Sequence, residues 1–150
     1  MDDIDLRLLS ALRANGRASY AELARLVGKS APSVQDRVRR LEERGVISGY
    51  TASVEPHALG LGVAALIGIH LSDSSDQDTV TKALERLPEI EDCWFVAGEE
   101  DYVIKVRTTD VEELERVLAR LRAVAGIART RTTVVLSAKW ERRPRAVVDP

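Results

Sequence analysis

The sequence predicts an α+β chain in two parts, with helices in residues 1–54 and alternating strands and helices in residues 63–138. Apolar residues at helical spacing and separating glycines predict the first part. In the second part, strand-like runs and amphipathic helical segments follow one another in the order βαββαβ. We therefore expect two domains with these limits, a linker at 55–62 and a tail at 139–150.

The composition of the 150-residue chain favours a globular protein with an aliphatic core. Hydrophobic residues make up 45% of the chain and aromatic residues 4%. There is no run of about 18 apolar residues and no signal-peptide pattern, and the single cysteine, Cys93, fits a reducing compartment. We therefore expect a cytoplasmic protein without a membrane segment. A small core shared by two lobes also favours self-association.

A capping box and a glycine turn mark the second helix. Ser19 precedes Glu22 by three residues, so each side chain can accept a hydrogen bond from the other residue's backbone N–H group. The positions expected to be buried in this helix are Leu23, Leu26 and Val27. Gly28 can adopt the positive φ that a sharp turn requires. A capped helix, a tight turn and another helix are the order typical of a helix-turn-helix.

Ser30 caps the third helix, which carries its arginines on one side. Val34, Val38 and Leu41 fall within roughly 60° of one another on a wheel of about 100° per residue, and form the buried stripe. Arginine can bind guanine or phosphate through two parallel hydrogen bonds, and glutamine can bind adenine similarly. We take as candidate contacts to double-stranded DNA the residues Ser30, Ser33, Gln35, Arg37, Arg39 and Arg40.

The alternative for the third helix is a solvated surface, because an isolated arginine-rich helix is more often that. Asp36 also counts against DNA binding, unless it pairs with Arg39 or Arg40 or accepts a hydrogen bond from a cytosine amino group. The glycine turn favours the DNA interpretation, because it defines how the helix is presented. Residues 1–50 contain nine Lys and Arg against seven Asp and Glu, although the whole chain has a net charge of −2.

The segment after the third helix is expected to form a wing. Gly45 ends the helix, and two short strands are predicted around Gly49, at Val46-Ile47 and at residues 50–54. The backbone of such a wing can contact phosphates. The first domain is therefore predicted to be a winged helix-turn-helix that binds double-stranded DNA.

The second domain alternates strands with amphipathic helices. Strands are predicted at residues 63–71, 90–96, 102–108 and 130–136, and helices at 76–87 and from Asp110 onward. This order is that of the ferredoxin-like split βαβ arrangement, a four-stranded antiparallel sheet with both helices on one face. We expect a second copy of the sheet to cover the other face, on which we place the apolar residues Ile67, Ile69, Val103 and Val135.

The polar tip between the second and third strands is a candidate ligand site. Gly98 would let a carboxylate approach backbone N–H groups, and an acid such as Asp101 can hold an ammonium group, so the tip suits a zwitterion. The acids that follow Gly98 are Glu99, Glu100 and Asp101. Thr132 and Thr133 add hydroxyls to the same cleft, although threonine is also simply a good strand former. A hairpin tip kept soluble by its acids is the alternative.

Short stretches over nearly the whole chain together match one family. They are Asp3-Ile4-Asp5, Leu8-Leu9, Gly16-Arg17, Ala21-Glu22-Leu23-Ala24, Gly28, Val38-Arg39-Arg40-Leu41-Glu42, Gly45-Val46-Ile47, Gly49-Tyr50, Pro56, Leu59-Gly60, Val96, Gly98, Asp101-Tyr102, Gly126-Ile127, Thr130 and Thr132. On these stretches the chain resembles the Lrp/AsnC, or feast/famine, transcriptional regulators. The chain departs from the family pattern at Lys29 and Asp36, so the resemblance carries no operator sequence.

The resemblance implies a winged helix-turn-helix, a ferredoxin-type ligand-binding domain and homodimers that often assemble into octamers. It implies a small effector, usually an amino acid, bound between neighbouring dimers. The residues that match the effector-binding loop and the last strand are Gly98, Glu99, Glu100, Asp101, Tyr102, Thr132, Thr133 and Val135.

Other classes of function fit the sequence less well. An enzyme would need a nucleophile–base pair, a phosphate-binding glycine loop or a set of metal ligands, so we expect no catalytic residue, no metal and no cofactor. The acids of the polar tip keep an enzyme as an alternative, and a protein that compacts DNA without an effector is another. The tail, with Trp140, Arg142, Arg143 and Arg145, fits a subunit contact, a phosphate-binding arm or, as we favour, a loose terminus.

Overall fold

A computed structural model describes residues 1–141, which divide into the units Met1–Ser53 and Val54–Lys139. The basic residues predicted to lie in the tail, Arg142, Arg143 and Arg145, fall outside the described residues. No helix within residues 1–141 is both long and apolar enough to cross a membrane.

The first unit contains the three predicted helices. They are α1 at Asp3–Ala14, α2 at Tyr20–Val27 and α3 at Ala31–Glu43. Their shared core is built from aliphatic side chains that recur at helical spacing, namely Leu8, Leu23, Ala24, Val27, Val34 and Val38. The prediction that Leu26 is buried was wrong: 49% of its surface is exposed. Ala24 takes that place in the core, because the buried stripe of α2 is narrower than the run of apolar residues.

Side-chain caps fix where each of these helices begins. Asp2 accepts a hydrogen bond from the Asp5 backbone at 2.9 Å, and the reciprocal bond from the Asp2 backbone to Asp5 completes a capping box. The predicted box between Ser19 and Glu22 is present, and Ser30 caps α3. Because each cap satisfies backbone donors that an isolated helix leaves unpaired, the caps stabilise helices that are otherwise short.

The two short strands predicted in the wing are absent, since residues 46–54 form no strand. Gly45, at a φ of 67°, turns the chain back, and the backbone N–H groups of Val46 and Ile47 then donate to the Leu41 carbonyl at 2.9 and 3.1 Å. Donors that bond to the end of α3 are not available for a strand ladder. The helix-turn-helix is thus confirmed, followed by an extended segment instead of a hairpin.

The second unit has the predicted βαββαβ order. Its elements are β1 at Val63–Leu71, α4 at Gln77–Leu84, β2 at Ile90–Phe95, β3 at Tyr102–Thr108, α5 at Val111–Arg122 and β4 at Ile127–Val135. All pairs in the sheet are antiparallel and the strand order is β2-β3-β1-β4, as the ferredoxin-like arrangement requires. A short 3₁₀ helix, Pro56–Leu59, lies within the predicted linker. α4 ends three residues earlier than predicted, with Leu87 still packed against the core.

The two faces of the sheet differ. Both helices pack on one face, whose buried residues include Ile67 and Ile69 of β1, each fully buried. Placing these two isoleucines on the uncovered face was therefore wrong. Successive residues of a strand point to opposite faces, so the other face of β1, called here the open face, carries Ala64, Leu66, Gly68 and His70. The pairing register adds to the open face Val103, Lys105, Arg107, Arg129, Arg131, Thr133 and Val135.

Candidate DNA-binding and effector sites

The turn between α2 and α3 holds α3 on the surface of the first unit. Gly28 adopts a φ of 67° and a ψ of 38°, the left-handed conformation that glycine reaches without strain. Lys29 donates its backbone N–H to the Ala24 carbonyl at 3.0 Å, and Ser30 then caps α3. With Val34, Val38 and Leu41 buried, the opposite face of α3 is left exposed.

The predicted DNA-binding residues differ in how far they are exposed to solvent. Gln35, Arg39 and Arg40 are exposed, whereas Ser33 is half-buried. The Ser30 hydroxyl accepts a hydrogen bond from the Ser33 backbone at 3.4 Å, so its first role is to cap the helix. The exposed donors and acceptors for base edges or phosphates therefore come from Gln35, Arg39 and Arg40.

Arg39 is engaged by acids of its own helix. Its guanidinium lies 3.1 Å from an Asp36 carboxylate oxygen and 3.2 Å from one of Glu43. The hydrogen bond to Asp36, followed by the charge of Glu43, raises the pKa of Arg39 above its ordinary value. The sequence had left open whether Asp36 pairs with Arg39 or Arg40, and the ion pair is to Arg39. Since Arg39 and Asp36 are both more than half exposed, a phosphate or a base can displace these contacts.

Arg37 lies apart from the exposed face of α3. One terminal nitrogen of its guanidinium lies 2.8 Å from a carboxylate oxygen of Asp2 and 2.8 Å from one of Asp5. Only 23% of the Arg37 side chain and 13% of the Asp5 side chain are exposed. The structure thus joins this predicted DNA contact to the beginning of α1.

The extended segment after α3 is anchored by Tyr50. Its hydroxyl donates to a Glu42 carboxylate oxygen at 2.8 Å, and its ring lies against Gly16, where an added Cβ would be 3.5 Å from the tyrosine Cδ1. Desolvation, then the bond to Glu42, raises the pKa of Tyr50 to about 12. The segment that replaces the predicted hairpin is thereby held on α3 and on the turn after α1.

In the second unit, the loop that joins β2 to β3 is closed by Asp101. Its carbonyl accepts a hydrogen bond from the Val96 backbone, and its own N–H donates to the Ile69 carbonyl, both at 2.9 Å. Its carboxylate accepts a hydrogen bond from the Leu71 backbone at 2.7 Å. Asp101 therefore holds the loop on the end of β1, a structural task that its sequence position did not reveal.

Glu100 folds back from this loop onto the open face. Its side chain, 13% exposed, forms an ion pair with Arg131 of β4. It lies over Gly68, the residue that pairs with Arg131 across the two strands. A Cβ at Gly68 would lie 2.6 Å from Glu100 Cγ, so the carboxylate can occupy this position only because residue 68 has no side chain.

A second acidic and basic pair lies beside the first. Arg129 approaches Glu99 at 4.0 Å, and Arg129 also lies 3.1 Å from Nε2 of His70. Glu99 and Arg129 are both about two-thirds exposed. Arg129, Arg131 and His70 were not among the residues predicted for this site. A signal was available, because arginines two residues apart in a strand lie on the same face.

The structure divides the other predicted effector residues between the two faces. Thr133 and Val135 lie on the open face with Arg129 and Arg131. Tyr102 is buried on the helix-covered face, where its hydroxyl is 2.7 Å from Thr81 Oγ1 and its ring packs edge-to-face against Phe95. Thr132 alternates with Thr133 and lies on the same side as Tyr102. Gly98 is exposed, with open space where a Cβ would lie.

The open face carries an apolar centre between charged groups. Leu66 is 39% exposed and its neighbours in the register are Lys105 and Thr133. Glu91 of β2 lies 3.0 Å from both Lys105 and Arg107, whose side chains are only 12% and 10% exposed. Among residues 1–141, no three His, Cys, Asp or Glu side chains come together as ligands of a metal ion.

The geometry of the first unit defines its class. α3 is capped at its start, follows a glycine in the left-handed conformation, and exposes arginine and glutamine. DNA-binding helices of helix-turn-helix proteins are exposed in the same way. The second unit, with paired acids and bases at one end of an open sheet, is suited to bind a small polar molecule. The chain is therefore of the class of DNA-binding regulators that carry a separate sensor domain.

Comparisons with known proteins agree. Residues 1–42 match the AsnC-type helix-turn-helix domain, and residues 64–145 match the Lrp/AsnC ligand binding domain. The chain belongs to the Lrp/AsnC family and is a transcriptional regulator with an AsnC-type helix-turn-helix.

Individual relatives extend over nearly the whole chain. The HTH-type transcriptional regulator LrpA of Mycobacterium tuberculosis is 44% identical over 143 residues, 95% of each chain. The feast or famine regulatory protein from M. tuberculosis, solved complexed with L-methionine, superposes with a TM-score of 0.91 at 43% identity, covering 97% of this chain and 99% of that one. A transcriptional regulator from Neisseria meningitidis, also solved with L-methionine, has a TM-score of 0.87 at 26% identity, covering 94% and 93%.

Proposed function

We propose that this regulator binds double-stranded DNA through the exposed face of α3, as a homodimer that assembles further, and that an amino-acid effector changes this binding. The DNA contacts would come from Gln35, Arg39 and Arg40, with Ser30 and Ser33 at the start of the helix. Two relatives in this family were solved with L-methionine, which supports an amino acid as the class of effector.

The observation that carries the effector proposal is the pairing of Glu100 with Arg131 over Gly68, next to Glu99 and Arg129. A zwitterion presents a carboxylate and an ammonium group at a short separation. In our proposal, the effector carboxylate binds the arginines and its ammonium binds the glutamates, so each protein charge exchanges one partner for another. Little charge is left unpaired in either state, which keeps the exchange favourable.

The remaining predicted residues have supporting places in this proposal. Gly98 gives the effector access to the backbone of the loop, while Thr133 and Val135 line the open face beside the arginines. Asp101 holds the loop through Leu71 and does not contact the effector. Tyr102 and Thr132, on the other face, would act only through the packing of β3 and β4.

The open face supports self-association. Leu66, Val103 and Val135 leave apolar surface there that a second sheet would cover. We propose a dimer built on this face and, by resemblance to the family, an assembly of dimers up to an octamer. We propose that the protein needs no catalytic residue, cofactor or metal ion, and that it acts in the cytoplasm together with the DNA that it binds.

The effector proposal can be tested by thermal shift with each of the twenty amino acids, followed by titration calorimetry with those that raise Tm. We expect at least one amino acid, with L-methionine tested first, to stabilise the protein. Glu100→Gln should weaken its binding about tenfold or more, since a charge-assisted hydrogen bond to the ammonium is lost. Glu115→Gln, an exposed acid of α5, is the matched control and should bind normally. Equal affinity in both variants would place the site elsewhere.

The DNA part is tested by the salt dependence of binding to a duplex selected from a random library. If each dimer neutralises several phosphates, affinity should fall by roughly 10³ between low and moderate salt. Arg40→Ala should weaken binding by about 1–3 kcal/mol without changing the oligomeric mass. Affinity that barely responds to salt would argue against this mode of binding, and loss of assembly in Arg40→Ala would show that the side chain is structural.

A further inference from the structure

Arg37 differs from the other arginines of α3 in the direction of its side chain. Arg39 is 60% exposed and bonds to acids of its own helix, whereas Arg37 is 23% exposed and bonds to a different helix. The pairing spans 35 residues to Asp2 and 32 residues to Asp5. Such a contact constrains the placement of α3 relative to α1 rather than the stability of α3 alone.

The acceptors of Arg37 are themselves fixed. Asp2 and Asp5 form the capping box of α1, in which each carboxylate also accepts a backbone N–H of the other residue. The hydrogen bond from the Asp5 backbone, followed by the one from the Arg37 guanidinium, holds the pKa of Asp2 below its ordinary value. Arg37 therefore binds two carboxylates whose positions are set by the first turn of α1.

A second arginine ties α1 to the other helix of the motif. Arg7 donates from its guanidinium to the Leu26 carbonyl at the end of α2, at 2.5 Å. Since Arg7 and Asp5 both belong to α1, this helix is bonded to α2 at one point and to α3 at another. Directional bonds from the beginning of the chain thus connect α1 to both helices of the helix-turn-helix.

The core alone does not provide this constraint. Leu8 of α1 shares one core with Val34 and Val38 of α3, but hydrophobic contact is non-directional and permits small rotations of one helix on another. A hydrogen bond is directional. For a helix whose side chains extend about 5–6 Å from its axis, a rotation of about 10° moves the outer atoms by roughly 1 Å, enough to spoil a two-bond contact with a base.

We propose that Arg37 is a positioning residue for DNA recognition: by bridging Asp2 and Asp5 it sets the rotation of α3 on α1, and it does not itself bind DNA. Asp5, a carboxylate that phosphate repels, then strengthens DNA binding. In this proposal, the first turn of α1 affects DNA recognition without contacting DNA.

The sign of the effect of Asp5→Asn tests this proposal. If Arg37 positions α3, Asp5→Asn in the full-length protein should weaken binding to the selected duplex about fivefold, as expected for loss of a partly exposed ion pair. If instead Arg37 binds DNA and Asp5 only holds it back, Asp5→Asn should tighten binding. Asp3→Asn is the matched control, because Asp3 lies in the same turn and forms no ion pair within the described residues. It should bind DNA as the wild type does.

Arg37→Gln and Arg37→Lys provide a second, independent readout. A phosphate contact contributes about 0.9 to the slope of log affinity against log salt, so loss of such a contact lowers the slope. We expect Arg37→Gln to weaken binding about fivefold with an unchanged slope, and Arg37→Lys, which keeps a cation near the carboxylates, to recover most of the affinity. A slope lower by about one in Arg37→Gln would overturn the proposal.

A double variant in which the charges of residues 37 and 5 are exchanged tests the proposal even if a single variant unfolds. Arg37→Glu combined with Asp5→Arg restores an ion pair of reversed polarity between α3 and α1. Recovery of DNA binding above that of Arg37→Glu alone supports positioning, because a new carboxylate on α3 would repel phosphate if it faced DNA. No recovery, in a double variant whose thermal unfolding matches the wild type, contradicts it.

Discussion

Oppositely charged side chains serve different ends in the two units. In the helical unit, Arg37 and Asp5 are 23% and 13% exposed and connect two helices through carboxylates that are already bonded to backbone. In the sheet unit, Arg129 near the start of β4 and Glu99 in the loop between β2 and β3 are 66% and 68% exposed. Water and ions compete with exposed pairs far more than with shielded ones. A shielded arginine such as Arg37 can therefore fix geometry, whereas an exposed arginine such as Arg129 or Arg131 can exchange its acidic partner for a ligand.

The largest effect we predict is a loss of stability when the buried face of the sheet is truncated. Ile67→Ala should lower the free energy of unfolding by about 2–5 kcal/mol, since Ile67 is fully buried. Leu66→Ala, the neighbour on the open face, should cost less in stability while lowering the mass of the assembly in light scattering. Chemical denaturation of both variants checks the assignment of faces. Equal losses of stability with unchanged mass would mean that the two faces are not different.

Gly68→Ala tests whether the exposed Arg131 can exchange its partner Glu100 for a ligand. The added methyl would clash with Glu100, whose Cγ lies 2.6 Å from the position of a Cβ. Because the flexible Glu100 can swing away, we expect a small change in Tm but at least a tenfold loss of affinity for the amino-acid effector. Calorimetry with the amino acid found by thermal shift measures this loss. Normal affinity in Gly68→Ala would separate Glu100 from the effector site.

Asp36→Asn tests whether the exposed Arg39, unlike the shielded Arg37, can leave its acidic partner and bind DNA. Removing the Asp36 charge releases Arg39 from one of its two acidic partners, Asp36 and Glu43, and also removes a repulsion from phosphate. DNA should therefore bind about two- to fivefold more tightly. Fluorescence anisotropy with the selected duplex measures this change. Weaker binding would show instead that Asp36 accepts a hydrogen bond from a cytosine amino group.

The smallest effect we predict is a loss of stability in acid that both units share. Hydrogen bonds at helix starts, from the Asp5 backbone to Asp2 and from Thr79 to Asp76, lower the pKa of these aspartates below their ordinary value of 3.8. A lowered pKa in the folded state gives stability that is complete above the ordinary value and is lost as pH falls through the lowered one. Tm should therefore be flat near neutrality and decline below about pH 4.

Asp2→Asn and Asp76→Asn, each measured by scanning calorimetry across this range, should flatten the decline by similar amounts. A change confined to one of the two variants would mean that the caps do not stabilise their units alike.

The helical unit could be predicted closely because its signals are local. Ser19 and Glu22, three residues apart, predict the cap of the second helix, and Gly28 predicts the turn that follows it. What could not be predicted there depends on contacts distant in sequence. The pairing of Arg37 with Asp5 spans 32 residues, and a helical wheel assigns only a direction to Arg37, not a partner.

The sheet unit shows the same limit more strongly. The order of strands and helices follows from the sequence, but a continuous aliphatic run such as residues 63–71 has no alternation to indicate which face is covered. That is why Ile67 was assigned to the wrong face. The proposed effector site could be predicted only in part. Arg131 comes close to Glu100 through the pairing of β4 with β1, and the need for glycine at position 68 follows only from the position of the Glu100 side chain.

The central claim is that effector binding at the sheet alters DNA binding by α3. It is tested most directly by fluorescence anisotropy of the full-length protein with its selected duplex, with and without a saturating amino acid found by thermal shift. We predict a change in Kd of about fivefold or more, as for an ordinary coupling between two sites, and no change in Gly68→Ala, whose effector-free Kd stays at the wild-type value. Superimposable binding curves with and without the amino acid in the wild-type protein would contradict the account.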